Sequence, residues 1–216
     1  MIRLDIISDI ACPWCHVGKG HLDRALAARP DHPFTIEWHP FQLNPELPPE
    51  GMDREAYLVA KFGSRAQYMA QHGAMVDHAD RAGVALNLDK VARTPNTLDA
   101  HRLIHWAGLE GRQGAVVTAL FTALWQDGRD VGDRKVLAEI AGEAGLDAAL
   151  IARALASDGD SDEIRARDAH ARERGVSGVP TFVIASRHVL QGAQPAEVWI
   201  RVIDDLAAQL AAADTA

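Results

Sequence analysis

Apolar and polar residues nearly alternate over Ile2-Arg3-Leu4-Asp5-Ile6-Ile7, the period of a short strand. Val17, Leu22, Ala25 and Leu26 then recur at helical spacing, which predicts a helix from about Pro13. Proline suits a first helical turn, where its missing N–H would have no intrahelical partner. Arg29-Pro30-Asp31-His32-Pro33 is turn chemistry, and Phe34 to Phe41 alternates again as a strand. Strand, helix and strand make a βαβ unit with a right-handed crossover.

Gln42 to Gly51 is rich in proline and ends in glycine, marking a loop and a domain boundary. From Met52 to about Ser157 the pattern is helical. Helices are predicted over Arg54–Phe62 and Arg65–Ala82, the second closed by Gly83 as C-cap. A further helix follows Thr94-Pro95-Asn96-Thr97, with Asn96 or Thr97 as its cap. Others run over Ala115–Trp125, from Asp133 to Ala144 and from Asp147 to Ala156. No sheet-forming run interrupts them, so residues 51–157 read as an all-helical inserted domain. Asp160 to Gly175 is a charged helix, read as a solvated face. Phe182–Ile184 and His188–Gln191 form a hairpin around Ser186-Arg187. A last helix carries Val198, Trp199, Val202, Ile203, Leu206 and Leu210 on one side, and Ala211–Ala216 should fray.

The chain's only two cysteines stand in Cys12-Pro13-Trp14-Cys15, between the first strand and the first helix. Cys12 falls at the N-cap, where unpaired N–H groups and the positive end of the backbone dipole stabilise a thiolate. Cys15 lies one turn on, within reach to close a disulfide. Cys12 is thus the attacking, more exposed sulfur and Cys15 the resolving one. Three other readings compete. With His16 the string matches covalent haem attachment, but nothing resembles the signal peptide of an exported chain. Half a zinc site lacks a second cysteine pair. Two inert core cysteines are the bland alternative. The strand–dithiol–helix context favours redox chemistry. Pro13 stiffens the turn, Trp14 offers an apolar surface, and His16 is a candidate to add positive charge near the thiolate.

Of 216 residues, 48% are hydrophobic and 24% charged, ordinary for a globular protein. Thirty acidic against 22 basic residues give a net charge of −8, which argues against a nucleic-acid partner. No apolar run approaches the ~20 residues of a membrane span. The expected compartment is the cytoplasm, where a catalytic disulfide is expected and a structural one is not.

With the inserted block removed, residues 1–50 and 158–216 read βαβ–α–ββα, an α/β thioredoxin fold. The chain resembles the DsbA-like thioredoxin-fold family, in particular its cytoplasmic FrnE-like branch. The residues that carry the resemblance are Asp9-Ile10-Ala11-Cys12-Pro13-Trp14-Cys15, Asn96-Thr97-Leu98-Asp99-Ala100-His101, Gly178-Val179-Pro180-Thr181-Phe182 and Gly192-Ala193-Gln194-Pro195. The resemblance implies a cis Val179–Pro180 bond facing the dithiol, with Val179 able to pair with an extended substrate. It also places Asn96 and His101 beside the cleft, although a helix cap for Asn96 and helix packing for His101 are the readings the residues themselves favour. His101 and His105 have metal-ligand spacing but lack the glutamate of a metalloprotease motif. DsbA-type periplasmic oxidants commonly carry histidine where Trp14 stands. The implied activity is thiol–disulfide exchange on protein or small-thiol substrates, with glutathione a candidate redox partner, no metal or cofactor, and a second copy of the chain a candidate partner. The alternatives are a glutathione-dependent isomerase or transferase of the related 2-hydroxychromene-2-carboxylate isomerase or kappa type, which use serine in place of Cys12, and a non-catalytic binding module.

Overall fold

The structure is a computed structural model that describes the backbone of residues 1–214 and the side chains of residues 1–212. β1 (Ile2–Ser8) leads through a tight turn into α1 (Pro13–Ala28) and then β2 (Phe34–Pro40). β1 and β2 pair in parallel, from Ile2 opposite Phe34 to Ser8 opposite Pro40. The alternation sorts β1 as expected: Leu4 and Ile6 are fully buried on one face, and Arg3 and Asp5 lie on the other.

The inserted stretch begins with β3 (Met52–Asp53), α2 (Arg54–Phe62), α3 (Arg65–His72) and α4 (Ala74–Ala82). After β4 (Arg93–Thr94) come α5 (Leu98–Leu109), α6 (Gln113–Thr122), α7 (Arg134–Glu143) and α8 (Ala148–Leu155). Asp133 and Asp147, the first residues of the two stretches read as helical, cap α7 and α8, each carboxylate accepting two backbone N–H groups. Two expectations need correction. The single helix over Arg65–Ala82 is interrupted at Gly73, where glycine costs about 1 kcal/mol of helix stability. The block is also not wholly helical, because β3 and β4 pair as a two-residue antiparallel ribbon. Strands that short carry no period to read. Gly83 closes α4 with φ 74°, left-handed as its position requires. Past α6, residues 123–127 form a π turn.

α9 (Ser161–Glu173) leads to the hairpin of β5 (Thr181–Ile184) and β6 (His188–Gln191), and α10 (Ala196–Asp214) ends the described chain. The alanine-rich stretch expected to fray is helical through Asp214, and its last two residues lie outside the described ones. The hairpin turn is centred on Ala185 and Ser186, both at positive φ, one residue earlier than expected. β5 joins β1 antiparallel, giving the sheet order β2-β1-β5-β6. α9 is not simply a solvated face. Asp168 is buried, its carboxylate accepts the Gln42 backbone N–H, and it pairs with Arg172 over the Phe41 ring. Charges on one side of this helix therefore hold the loop after β2.

One apolar cluster runs from Leu4, Ile6, Phe182 and Trp199 around the sheet to Val116, Leu120, Phe121, Trp125 and Leu137 in the inserted stretch. A second joins Val17 of α1 to Leu58, Tyr68, Met75 and Ala79. α1 packs against both α4 and α10, so the helix is held from two sides.

Candidate active site

The turn before α1 is fixed by Asp9. Its carboxylate accepts the backbone N–H groups of Ala11 at 3.1 Å and Leu43 at 2.7 Å, and its carbonyl accepts that of Cys12 at 3.0 Å. The Trp125 indole N–H donates to the Ile10 carbonyl at 2.9 Å, tying the turn to the inserted block. Cys12 is the extended N-cap of α1, with Pro13 in the first turn. The two cysteines are not bonded to each other; Cys12 is 5% and Cys15 1% exposed. The order is the expected one, with the first sulfur nearer the surface.

Facing Cys12 is a cis Val179–Pro180 peptide bond. The Cys12 thiol points at the Val179 carbonyl oxygen, 3.6 Å away. Two contacts hold that loop: the Gly192 N–H donates to the Pro180 carbonyl at 2.8 Å, and the Thr181 hydroxyl to the Gly178 carbonyl at 2.7 Å.

This chain matches the DSBA-like thioredoxin domain over residues 3–203. It belongs to the DsbA-like thioredoxin family. YwbO, an uncharacterized protein of Bacillus subtilis, is 30% identical over 205 residues, which cover 94% of this chain and 96% of that one. A probable DsbA oxidoreductase from Streptomyces coelicolor, known from a crystal structure, superposes with a TM-score of 0.83 at 35% identity, covering 95% of this chain and 89% of its own. The cytosolic disulfide reductase DsbM from Pseudomonas aeruginosa, solved with GSH, shares the fold with a TM-score of 0.68 at 20% identity, over 94% and 98% of the two chains.

Within this DsbA-like frame, burial, and then the neighbouring Cys12, push the Cys15 thiol well above its ordinary range. The Ser8 hydroxyl and the Asp9 backbone N–H beside it partly oppose that rise. The buried Ser8 hydroxyl has no formed hydrogen bond among the described residues. The structure corrects the expectation for His16. Its ring is buried against Phe121 and bonded to the Ala85 carbonyl at 3.1 Å. Burial lowers its pKa to about 4, so it is neutral at physiological pH and adds no positive charge.

Trp14 is half-buried, its ring edge-on to His78 at 5.5 Å, and it packs against both apolar clusters. Asn96 acts within its loop: its side chain accepts the Leu98 N–H at 3.0 Å and donates to the Leu47 carbonyl at 2.7 Å. No contact joins it to the cysteines. His101 is buried with its Nε2 3.6 Å from the Asp9 carboxylate, so it stands behind the active-site turn. His105 instead accepts a hydrogen bond from Arg167, which separates the two histidines' roles. Sequence reasoning passed over Ser8 and over Asp9 as an individual anchor, though an aspartate just before a tight turn is a readable signal. It also passed over Arg54, whose place after an N-cap looks like a surface position.

A cavity of about 810 Å³ opens elsewhere, between α9 and the outer sheet face, lined by Asp5, His39, Arg167 and Val183 among others. Neither cysteine lines it. Beside it Asp5, Glu37 and His39 are close enough to share a cation, but Arg3 already pairs with both carboxylates, at 2.6 and 3.2 Å. No helix among the described residues is long and apolar enough to cross a membrane.

Proposed function

We propose that this chain is a thiol–disulfide oxidoreductase that exchanges disulfides through Cys12 and Cys15. The observation that carries this reading is the placing of Cys12 at the start of α1, its sulfur 3.6 Å from the carbonyl before the cis proline. A substrate disulfide is attacked by the Cys12 thiolate. The substrate S–S bond breaks, a Cys12–substrate bond forms, and one substrate thiolate leaves. Cys15 then attacks the Cys12 sulfur, its proton passes to the second departing thiolate, and the chain is left with a Cys12–Cys15 disulfide. The substrate has gained the two electrons that the dithiol lost. Run backwards, the same steps oxidise a substrate. The half-buried Val179, beside Cys12, is suited to offer its backbone to an extended substrate while the mixed disulfide lasts.

The raised Cys15 pKa supports the division of labour, since a protonated buried thiol does not compete for the first attack. Reduction or isomerisation in the cytoplasm, with glutathione as one small-thiol partner, fits the composition and the likeness to a cytosolic reductase solved with GSH. The test is equilibration of the chain across glutathione redox buffers, with the Cys12–Cys15 state read by mass. A cooperative two-electron transition to an intramolecular disulfide is expected. Cysteines that remain reduced, or that only accumulate separate glutathione adducts, overturn the reading. Glutathione conjugation of an electrophile that survives Cys12→Ser moves it to the isomerase and transferase side.

A further inference from the structure

Two arginines are buried in the inserted block, and they differ. Arg102 is fully buried and saturated: it pairs with Asp99 at 2.6 Å and donates to the carbonyls of Ala154, Ser157 and Gly159. Arg54, 8% exposed, has no carboxylate within ion-pair distance among the described residues. Its guanidinium donates to the Thr94 hydroxyl at 3.2 Å and otherwise lies among aromatic rings, 5.6 Å from Tyr57, 5.5 Å from Tyr68 and 5.8 Å from Trp125.

A cation held this way is costly unless something answers its charge. Aromatic faces answer part of it. The rest is open. No Arg54 nitrogen is among the fully buried polar atoms left without a partner, so the edge not bonded to Thr94 reaches solvent. The Tyr68 hydroxyl beside it is buried and makes no hydrogen bond. A second cation stands next door. Lys61 donates to Tyr57 Oη at 2.8 Å and Asn44 Oδ1 at 3.0 Å and likewise meets no carboxylate. The nearby acids are engaged elsewhere: Asp53 caps α2 and Glu55 faces Arg65.

This charge shares its neighbours with the dithiol turn. Trp14, between the two cysteines, packs against the same cluster as Tyr57 and Tyr68. Trp125, which stacks on Arg54, donates to the carbonyl of Ile10, two residues before Cys12. Burial raises the Tyr68 hydroxyl pKa, Arg54 beside it opposes that rise, and Cys12 adds to it.

We propose that Arg54, with Lys61 at its rim, is a carboxylate-binding subsite that selects small disulfides bearing a carboxylate near the reacting sulfur. The inference rests on the dithiol chemistry proposed above and names its substrate class. The recessed, single open edge of the guanidinium suits a small molecule's terminal carboxylate. A cation donating two bonds to a carboxylate is among the stronger polar contacts available. Cys12 attacks the disulfide while the carboxylate is held, the thiol half carrying it or its partner leaves, and Cys15 completes the exchange as before.

The test compares the rates at which the reduced chain is oxidised by 3,3′-dithiodipropionate and by 2-hydroxyethyl disulfide, which share two-methylene arms and end in a carboxylate and a hydroxyl. The ratio of the first rate to the second should fall about tenfold in Arg54→Met, by a smaller factor in the surface variant Lys61→Met, and progressively with added salt in the unaltered chain. A ratio that none of these changes moves overturns the subsite while leaving the oxidoreductase standing. Failure to react with either disulfide removes both. Should Arg54→Met not fold, Lys61→Met and the salt series decide alone.

Discussion

Gly18 and Pro180 meet so closely that a Cβ on the glycine would stand 3.1 Å from the proline Cγ and 3.4 Å from the Ala193 Cα. The first helix thus carries both sulfurs and the surface that seats the cis proline. Any side chain at position 18 pushes the Val179–Pro180 loop away from Cys12. Gly18→Val should destabilise the fold by about 1–3 kcal/mol through overpacking and slow disulfide exchange more than that loss explains. Urea unfolding and exchange rates, measured on the same sample under folding conditions, check this. Unchanged exchange in a folded variant counts against the loop's role.

Cys15 is the sulfur that releases product. Cys15→Ser should therefore stop turnover and leave a substrate adduct on Cys12 that mass spectrometry detects. Cys12→Ser should give neither turnover nor adduct. An adduct on Cys15 in that second variant would reverse the assigned roles.

The raised Cys15 pKa also sets a stability window. The folded state holds this proton more tightly than the unfolded state does, so the contribution is intact at neutral pH. It is lost as pH rises above the ordinary thiol value of 9.0. The reduced chain should lose stability through that alkaline range, and Cys15→Ala should lose less. Denaturant midpoints at pH 7.5 and at about pH 10 give the comparison.

Much of this was open to reading in the chain. The alternation of Ile2 to Ile7, the proline after Cys12 and the aspartate that opens α7, Asp133, are local signals, and local structure followed them. What escaped depends on distant partners. His16 looks like a free titratable neighbour of the dithiol; its neutrality comes from Phe121 and from the Ala85 carbonyl, 69 residues away. The charges of α9 look solvated until the loop at Gln42 folds onto Asp168 and Arg172. β3 and β4 are only two residues each, held in register by the chain around them. Asn96 carried the family resemblance, yet its bonds to Leu47 and Leu98 are those of a loop anchor. Arg54 follows a capping aspartate like any exposed first-turn residue, and only the packing of three rings reveals it.

His16 gives a prediction on the acid side. Its folded pKa, about 4, lies below the ordinary 6.5, so the unfolded chain takes up a proton that the folded chain refuses. The contribution to stability is complete above pH 6.5 and disappears as pH falls toward 4, on the order of 3 kcal/mol in all. His21, lowered mainly by burial and next by His78, acts in the same direction. His16→Gln, which keeps a donor for the Ala85 carbonyl, should flatten the fall in urea midpoint between pH 7 and pH 4.5. A histidine ring resonance titrating near 6.5 in the folded chain and assigned to position 16 would contradict the burial argument directly.

Arg102 tests the contrast between a saturated buried cation and an open one. Removing its side chain leaves the partly buried Asp99 carboxylate with Arg134 at 2.7 Å and takes a charged donor from the carbonyls of Ala154, Ser157 and Gly159 where α8 turns toward α9, of which Ala154 keeps the Ser157 N–H and hydroxyl. Losing two such charge-assisted bonds, at about 1.5–3 kcal/mol each, costs about 3–6 kcal/mol. Arg102→Met should therefore lower the unfolding free energy by that much, whereas Arg54→Met, which strands no carboxylate, should cost clearly less. Both are read from chemical denaturation of the reduced chain. Equal losses would mean that the ring cage around Arg54 carries structural weight comparable to a full set of polar bonds, and the case for its open edge as a recognition surface would weaken accordingly.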